Sequence, residues 1–189
     1  MKLKPAEAAI LGMIAIAQSG GSEPSGYDLK TWADSGVGYF WGAAKSQIYA
    51  VLGRLADRGL VATRHIAQDQ RPDKNLYRIT KKGRRLLDLW LQEPLEPLSP
   101  RNVFLLRVFL GSLGSKESVA EHIRAYADSA RQLRGELREI EAWAQAKGES
   151  NPYYGLTRQY GFALADMIEK WAADALRQLR DQDSGPRSA

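Results

Sequence analysis

Residues 44–80, AKSQIYAVLGRLADRGLVATRHIAQDQRPDKNLYRIT, hold the polar side chains whose types and spacing suit recognition chemistry. If residues 44–58 are helical, Ile48, Val51, Leu52 and Leu55 fall at i, i+3, i+4 and i+7 and make one apolar stripe. That turns Lys45, Ser46, Gln47, Tyr49, Ala50 and Arg54 outward together. An amide and a phenol can hydrogen-bond base edges or sugars, and an ammonium and a guanidinium pair with phosphates. Gln47 and Tyr49 suit the first role, and Lys45 and Arg54 the second; Tyr49 could instead pack on the element that follows. A second group, Arg64, Gln68, Arg71, Lys74 and Asn75, surrounds a polar turn over 68–75. With three cations, and with no aliphatic or aromatic residue between Ala67 and Leu76, it reads as a contact to a phosphate backbone or minor groove, or else as a solvated hairpin tip. A third group, Lys81 and Lys82 with Arg84 and Arg85, crowds the start of a helix. Cations are unfavourable beside the positive end of a helix dipole, so either an anion such as phosphate compensates them or they are solvated.

Catalytic and metal chemistry find no comparable support. The chain has no cysteine and only two histidines. His65 and His122 have no partner at metal-ligand spacing, no phosphate-binding loop follows a strand, and no cofactor is expected. Charge points to a polyanion instead. Residues 1–92 carry 14 Lys and Arg against 8 Asp and Glu, whereas residues 93–189 carry 13 against 14. The excess lies in the half that holds the three groups above. The basic start and the apolar run 8–17 resemble a signal peptide in part, but Glu7 borders that run and it leads straight into the next elements. Residues 5–18 therefore read as a core or interface helix of a cytoplasmic protein. No stretch has the roughly 20 apolar residues that a membrane span needs.

The elements that position these groups follow from punctuation and period. Pro5 suits a first helical turn. Ser25 and Asp28 form a capping box for a helix to about residue 35, with Tyr27, Leu29, Trp32 and Ala33 inward. The adjacent aromatics Tyr39, Phe40 and Trp41 either pack beneath the entry to the next helix or contact a ligand or DNA. That helix lacks a favoured cap at Ala43 and Ala44, so Ser46 could cap a shorter one. Gly59 stops it. Residues 60–66 and 76–80 read as two strands joined by the polar turn, and Thr80 caps a helix over 81–91 whose apolar side is Leu86, Leu87, Trp90 and Leu91. A helix followed by a polar-tipped hairpin is a winged helix.

Three prolines make residues 93–100 a stiff linker. Ser99 and Pro100 read as the start of a helix over 101–113, apolar nearly all round and so buried between layers. Val119, Ile123, Tyr126, Ala130, Leu133, Leu137, Ile140 and Ala144 alternate in steps of four and three, a coiled-coil seam. After a turn at 148–150, Asn151 and Pro152 open a last helix burying Leu156, Tyr160, Leu164, Met167, Ile168, Trp171, Ala175 and Leu179. Two long helices joined by a short turn pack antiparallel. The sequence thus divides into a DNA-binding winged helix-turn-helix (1–92), a linker (93–100), a helical dimerisation domain (101–182) and a polar, disordered tail (183–189). The fold class is mainly α with one small β-hairpin.

The run Ser46-Gln47-Ile48-Tyr49, then Leu52, Arg54-Leu55, Gly59-Leu60-Val61 and Tyr77-Arg78-Ile79-Thr80-Lys81-Lys82-Gly83, with Gly26-Tyr27-Asp28-Leu29 upstream, resembles the PadR family of transcriptional regulators. The helical half, with Leu156-Thr157, Gly161 and Trp171, is similar to the virulence-activator-like C-terminal domain of the larger members. The resemblance implies a dimeric, DNA-binding winged helix. A single winged helix reads few base pairs, so a pseudo-palindromic double-stranded operator and a homodimer are expected. Leu164, Met167, Ile168, Trp171, Ala175 and Leu179 are the expected dimer face, with the apolar first helix as the other candidate. Trp32, Trp41 and Trp90 are candidate walls for a small aromatic or apolar effector that releases a repressor from DNA. The rival reading is a winged helix that binds protein, which has no need of a basic N-terminal half.

Overall fold

A computed structural model describes residues 2–181 except 34–37, 39, 42–44, 68–72 and 96–101. The expected tail at 183–189, the tip residues Gln68 and Arg71 and the proposed start at Ser99 and Pro100 lie outside the described residues. The chain forms two compact units, residues 1–97 and 98–189.

The first unit runs α1 (Pro5–Ser19), α2 (Gly26–Trp32), α3 (Lys45–Asp57), β1 (Val61–Ile66), β2 (Lys74–Ile79) and α4 (Lys81–Gln92). The α3 stripe forms the heart of its core: Ile48, Val51, Leu52 and Leu55 are buried with Leu11 and Ile14 of α1, Leu29 of α2 and Leu60. Each such side chain contributes about 1.5–3 kcal/mol of transfer free energy. The first helix thus contributes much of this unit's core; of its large apolar residues, Ile16 is exposed.

Two expectations for α2 need correcting. Leu29 and Ala33 are buried, but Tyr27 and Trp32 are exposed. Leu29 and Ala33 lie one turn apart on the stripe that meets the core, and Tyr27 lies on the far side. α3 begins at Lys45, so Ser46 lies inside its first turn and does not precede it. Gly59 ends α3 at φ +65°. Its amide donates to the Ala56 carbonyl at 2.8 Å and that of Leu60 to the Leu55 carbonyl at 2.8 Å, the paired bonds of a Schellman motif.

β1 and β2 pair antiparallel from Val61↔Ile79 to Ile66↔Lys74. Lys74 and Asn75, expected in the turn, thus belong to β2. The Thr80 hydroxyl accepts from the Gly83 amide at 3.0 Å and caps α4. A Cβ on Gly83 would lie 2.2 Å from the Leu60 carbonyl oxygen, so only glycine lets α4 dock there. Leu87 is buried and Leu86 and Trp90 pack against the core, but Leu91 is exposed. It is turned about 40° from Leu87 and about 80° from Gly83.

The second unit holds α5 (Val103–Phe109), a 3₁₀ turn at Gly111–Leu113, α6 (Lys116–Ala146) and α7 (Pro152–Asp181). α5 starts later than expected because Asn102 caps it, its side chain accepting from the Leu105 amide at 3.0 Å. It is also not buried: Phe104 and Val108 pack on α6 and α7, while Val103, Leu105, Leu106 and Phe109 are exposed. Among the described residues of this unit, α6 and α7 meet this short helix on one face. α6 and α7 pack as an antiparallel pair, and the heptad seam divides in an informative way. Ile123, Ala130, Leu137 and Ala144 are buried, but Val119, Tyr126, Leu133 and Ile140 are only half-buried. α7 turns Gly161, Ala165, Ile168 and Ala172 inward. Leu156, Tyr160 and Met167, expected inside, are exposed along with Tyr153. They form a second stripe about 110° around the helix from the inner one, which a single partner helix cannot cover.

Candidate nucleic-acid interface

The outer ridge of α3 is built of small residues. Ala50 and Gly53 are exposed, Asp57 completes the row, and nothing lies within 4 Å of a Cβ placed on Gly53. Gln47 and Tyr49 flank this ridge, both exposed. Lys45 and Ser46 open the helix, their side chains outside the described atoms. A ridge of this kind lets the helix backbone approach a groove floor closely, with longer polar side chains to either side.

Tyr49 packs on the start of α2 and stays open to solvent. Its ring lies against the first residue of α2, where a Cβ on Gly26 would come within 2.6 Å of Tyr49 Cε1. The ring is nonetheless 55% exposed. On the wing beside it, burial raises the pKa of the Tyr77 hydroxyl, a bond with Asn75 partly offsets the rise, and the nearby Tyr49 adds to it. Gly26 therefore seats Tyr49 without removing it from solvent.

The wing is tied to the start of α2. The Tyr77 amide donates to the Pro24 carbonyl at 3.0 Å, and Ser25 bridges to Leu76. Arg64, expected on phosphate, donates through Nε at 3.0 Å and Nη2 at 2.7 Å to Glu23 Oε2. His65 stands across the hairpin between Asn75 Oδ1 at 3.2 Å and Asp73 Oδ2 at 3.1 Å. Lys74 is exposed at the head of β2.

Two other expected phosphate ligands have protein partners. Lys82 Nζ donates to the Arg58 carbonyl at 2.7 Å. The negative end of α3 thus compensates one of the cations crowding the start of α4, while Lys81 stays exposed. Arg54 leans back toward α1, its Nε 3.9 Å from Glu7 Oε1. Sequence reasoning missed Glu7, Glu23 and the seat at Gly26. The signal for Glu7 was a carboxylate at the border of an apolar run.

The candidate effector walls have different surroundings. Trp41 lines a void of about 10 Å³ with Met13, Ala33, Gln47 and Ile48, room for one water. Trp32 is partly exposed, and Trp90 packs on the core. Of the expected dimer residues, Ile168 is buried inside the chain. Ala175, Leu179 and Trp171 pack into the same cluster as Ile123, with Trp171 edge-on to Phe104 at 5.5 Å. Leu164 packs beside Ala130. Met167 alone of the six is more than half exposed. Among the described residues no group of three His, Asp or Glu could hold a metal ion, and no helix is long and apolar enough to cross a membrane.

A helix leading into a two-stranded wing, with a helical hairpin in the second unit, is the architecture of a winged-helix protein. Residues 15–89 match the transcriptional regulator PadR-like family and residues 100–180 the virulence activator alpha C-terminal domain. The chain thus carries a PadR-like transcriptional-regulator domain followed by a virulence activator alpha C-terminal domain. It is similar to the probable transcriptional regulator Rv1176c of Mycobacterium tuberculosis, 41% identical over 76 residues that make up 40% of each chain. It is also similar to the negative transcriptional regulator PadR of Bacillus subtilis, 28% identical over 78% of this chain and 81% of that one. The crystal structure of that PadR with operator DNA matches with TM-score 0.73 at 24% identity, over 93% of this chain and 99% of that one. Its complex with p-coumaric acid matches at 0.65 and 20%, over 94% and 98%. The structure of smu.1604c from Streptococcus mutans matches at 0.77 and 26%, over 93% and 99%.

Proposed function

We propose that this chain is a cytoplasmic, homodimeric, sequence-specific operator-binding protein, a repressor that a small aromatic or apolar molecule releases from DNA. The exposed face of α3 carries this reading: small residues on the ridge, Gln47 and Tyr49 beside it, and a core stripe behind that fixes its orientation. Gln47 and Tyr49 read bases or sugars, with Ser46 and Ala50 against the groove. Lys45, Arg54 and Lys81 face phosphates. The wing, through Arg64, Gln68, Arg71, Lys74 and Asn75, follows the backbone or minor groove. Arg64 and Lys82 reach DNA only by leaving Glu23 and the Arg58 carbonyl, so their share is smaller.

Residues 1–92 act as the DNA-binding domain, 93–100 as the linker and 101–182 as the dimerisation domain. The dimer forms through the outer stripe of α7 (Tyr153, Leu156, Tyr160 and Met167), the open side of α5 and the half-covered seam of α6. Large apolar side chains exposed in this number mark an interaction surface. The repressor role and the aromatic effector draw support from the B. subtilis relative, named a negative regulator and crystallised with p-coumaric acid.

A gel shift on the chain's own promoter region, with random DNA as competitor, tests the reading. Retention on the promoter is expected, with footprints spaced about 10–10.5 base pairs apart or a multiple of that. Equal affinity for both DNAs would favour a protein-binding winged helix. Addition of p-coumaric acid and related planar acids, followed by tryptophan quenching and DNA release, tests the effector.

A further inference from the structure

Glu7 is the one acidic side chain in the buried set of the described residues, 3% exposed on α1. Its Oε2 accepts from the Lys4 amide at 3.0 Å and from Arg58 Nη1 at 2.7 Å. Its Oε1 faces Arg54 Nε at 3.9 Å. Arg54 stands in the last turn of α3 and Arg58 just past its end, one turn apart, on the flank that meets α1. They are held differently. The Arg58 side chain is 23% exposed and also reaches the Lys2 carbonyl, so it is locked. The Arg54 side chain is 52% exposed and its contact lacks hydrogen-bond length, so it is tethered by charge alone and can turn outward.

We propose that Glu7 is a specificity-determining positioning residue: it locks α3 through Arg58 and restrains Arg54 from binding DNA indiscriminately. The inference rests on the reading that α3 binds DNA. Binding to random DNA is electrostatic and follows the charge available to phosphates. A carboxylate behind Arg54 cancels part of that charge for any loosely held phosphate. On the operator, α3 seats fully, a phosphate displaces the 3.9 Å contact, and Arg54 is recruited while Arg58 stays on Glu7. An ordinary phosphate ligand contributes on all sequences alike; Arg54 contributes mainly on the operator.

The test is fluorescence anisotropy of the full chain on its promoter fragment and on random DNA, between about 50 and 200 mM salt. Glu7→Gln keeps an acceptor for the Lys4 amide and removes the charge. It should tighten random-DNA binding about threefold to tenfold, steepen the salt slope on random DNA by up to about one, and leave promoter binding equal or weaker. Arg54→Gln, made in a chain whose core is untouched, should weaken promoter binding about tenfold and random binding less than about twofold. Glu7→Gln/Arg54→Gln should abolish the tightening on random DNA. Equal changes on both DNAs for Arg54→Gln, or tightening that survives in the double variant, would overturn the role of Glu7. If Glu7→Gln does not fold, the Arg54→Gln ratio decides alone. A wild-type chain that does not distinguish the two DNAs would overturn the DNA reading itself, and this inference with it.

Discussion

Met167→Ala should weaken the dimer while leaving the chain's own helical hairpin intact. Met167 lies on the outer stripe of α7 and is 54% exposed, whereas the inner residues Gly161, Ala165 and Ile168 are buried. Full burial of a Met side chain is worth about 1.5–3 kcal/mol, so the part still open to water offers about half of that on association. A two-fold interface counts the change twice, giving roughly 1.5–3 kcal/mol per dimer. At about 1.4 kcal/mol per decade, dimer Kd should rise roughly 10- to 150-fold. Met167→Asp should dissociate the dimer further, because a charge would then have to be desolvated. Met167→Leu, similar in volume, should change Kd by no more than a few-fold. Sedimentation velocity over a dilution series measures Kd, and circular dichroism checks that α7 remains helical. A Met167→Asp chain that is helical and still a tight dimer would refute the assignment of the interface to this stripe. A variant that loses helicity would show that Met167 supports the hairpin itself, against the exposure argument.

Three further outcomes are expected. Gln47→Ala should weaken promoter binding by about 1–3 kcal/mol with little change on random DNA, whereas Lys45→Ala should weaken both and lower the salt slope by about one; anisotropy on both DNAs separates them, and equal losses for both variants would refute the division of roles. Gly53→Ala adds a methyl to open space inside a helix, so thermal melting should show stabilisation of about 0.5–1 kcal/mol, while operator affinity falls because the methyl stands on the groove-facing ridge. Burial opposes ionisation of Glu7, but the Lys4 amide, the bond to Arg58 and the charges of Arg58 and Arg54 together leave its pKa below the ordinary 4.5. A lowered folded-state pKa means the stabilisation is present above 4.5 and lost as pH falls through the folded value. In urea melts, the stability gap between wild type and Glu7→Gln should therefore be wide at neutral pH and close well below pH 4.5.

What the sequence determined by itself is the set of elements and their caps. Gly59, Thr80, the Ser25–Asp28 box and the 3.6-residue stripe of α3 are local signals. Their physics acts over one or two helical turns, so the winged helix and the paired long helices could be read directly. The tertiary structure decided which polar groups remain free. Arg64, Arg54 and Lys82 look alike in sequence, each a cation in a basic half. Their partners, Glu23, Glu7 and the Arg58 carbonyl, lie 41, 47 and 24 positions away along the chain, beyond the reach of any periodicity. The same holds for the apolar faces. A heptad repeat establishes that α6 and α7 have seams but not how many helices share them. Only the packed hairpin separates Ile168, already buried, from Met167, one residue earlier and turned about 100° outward.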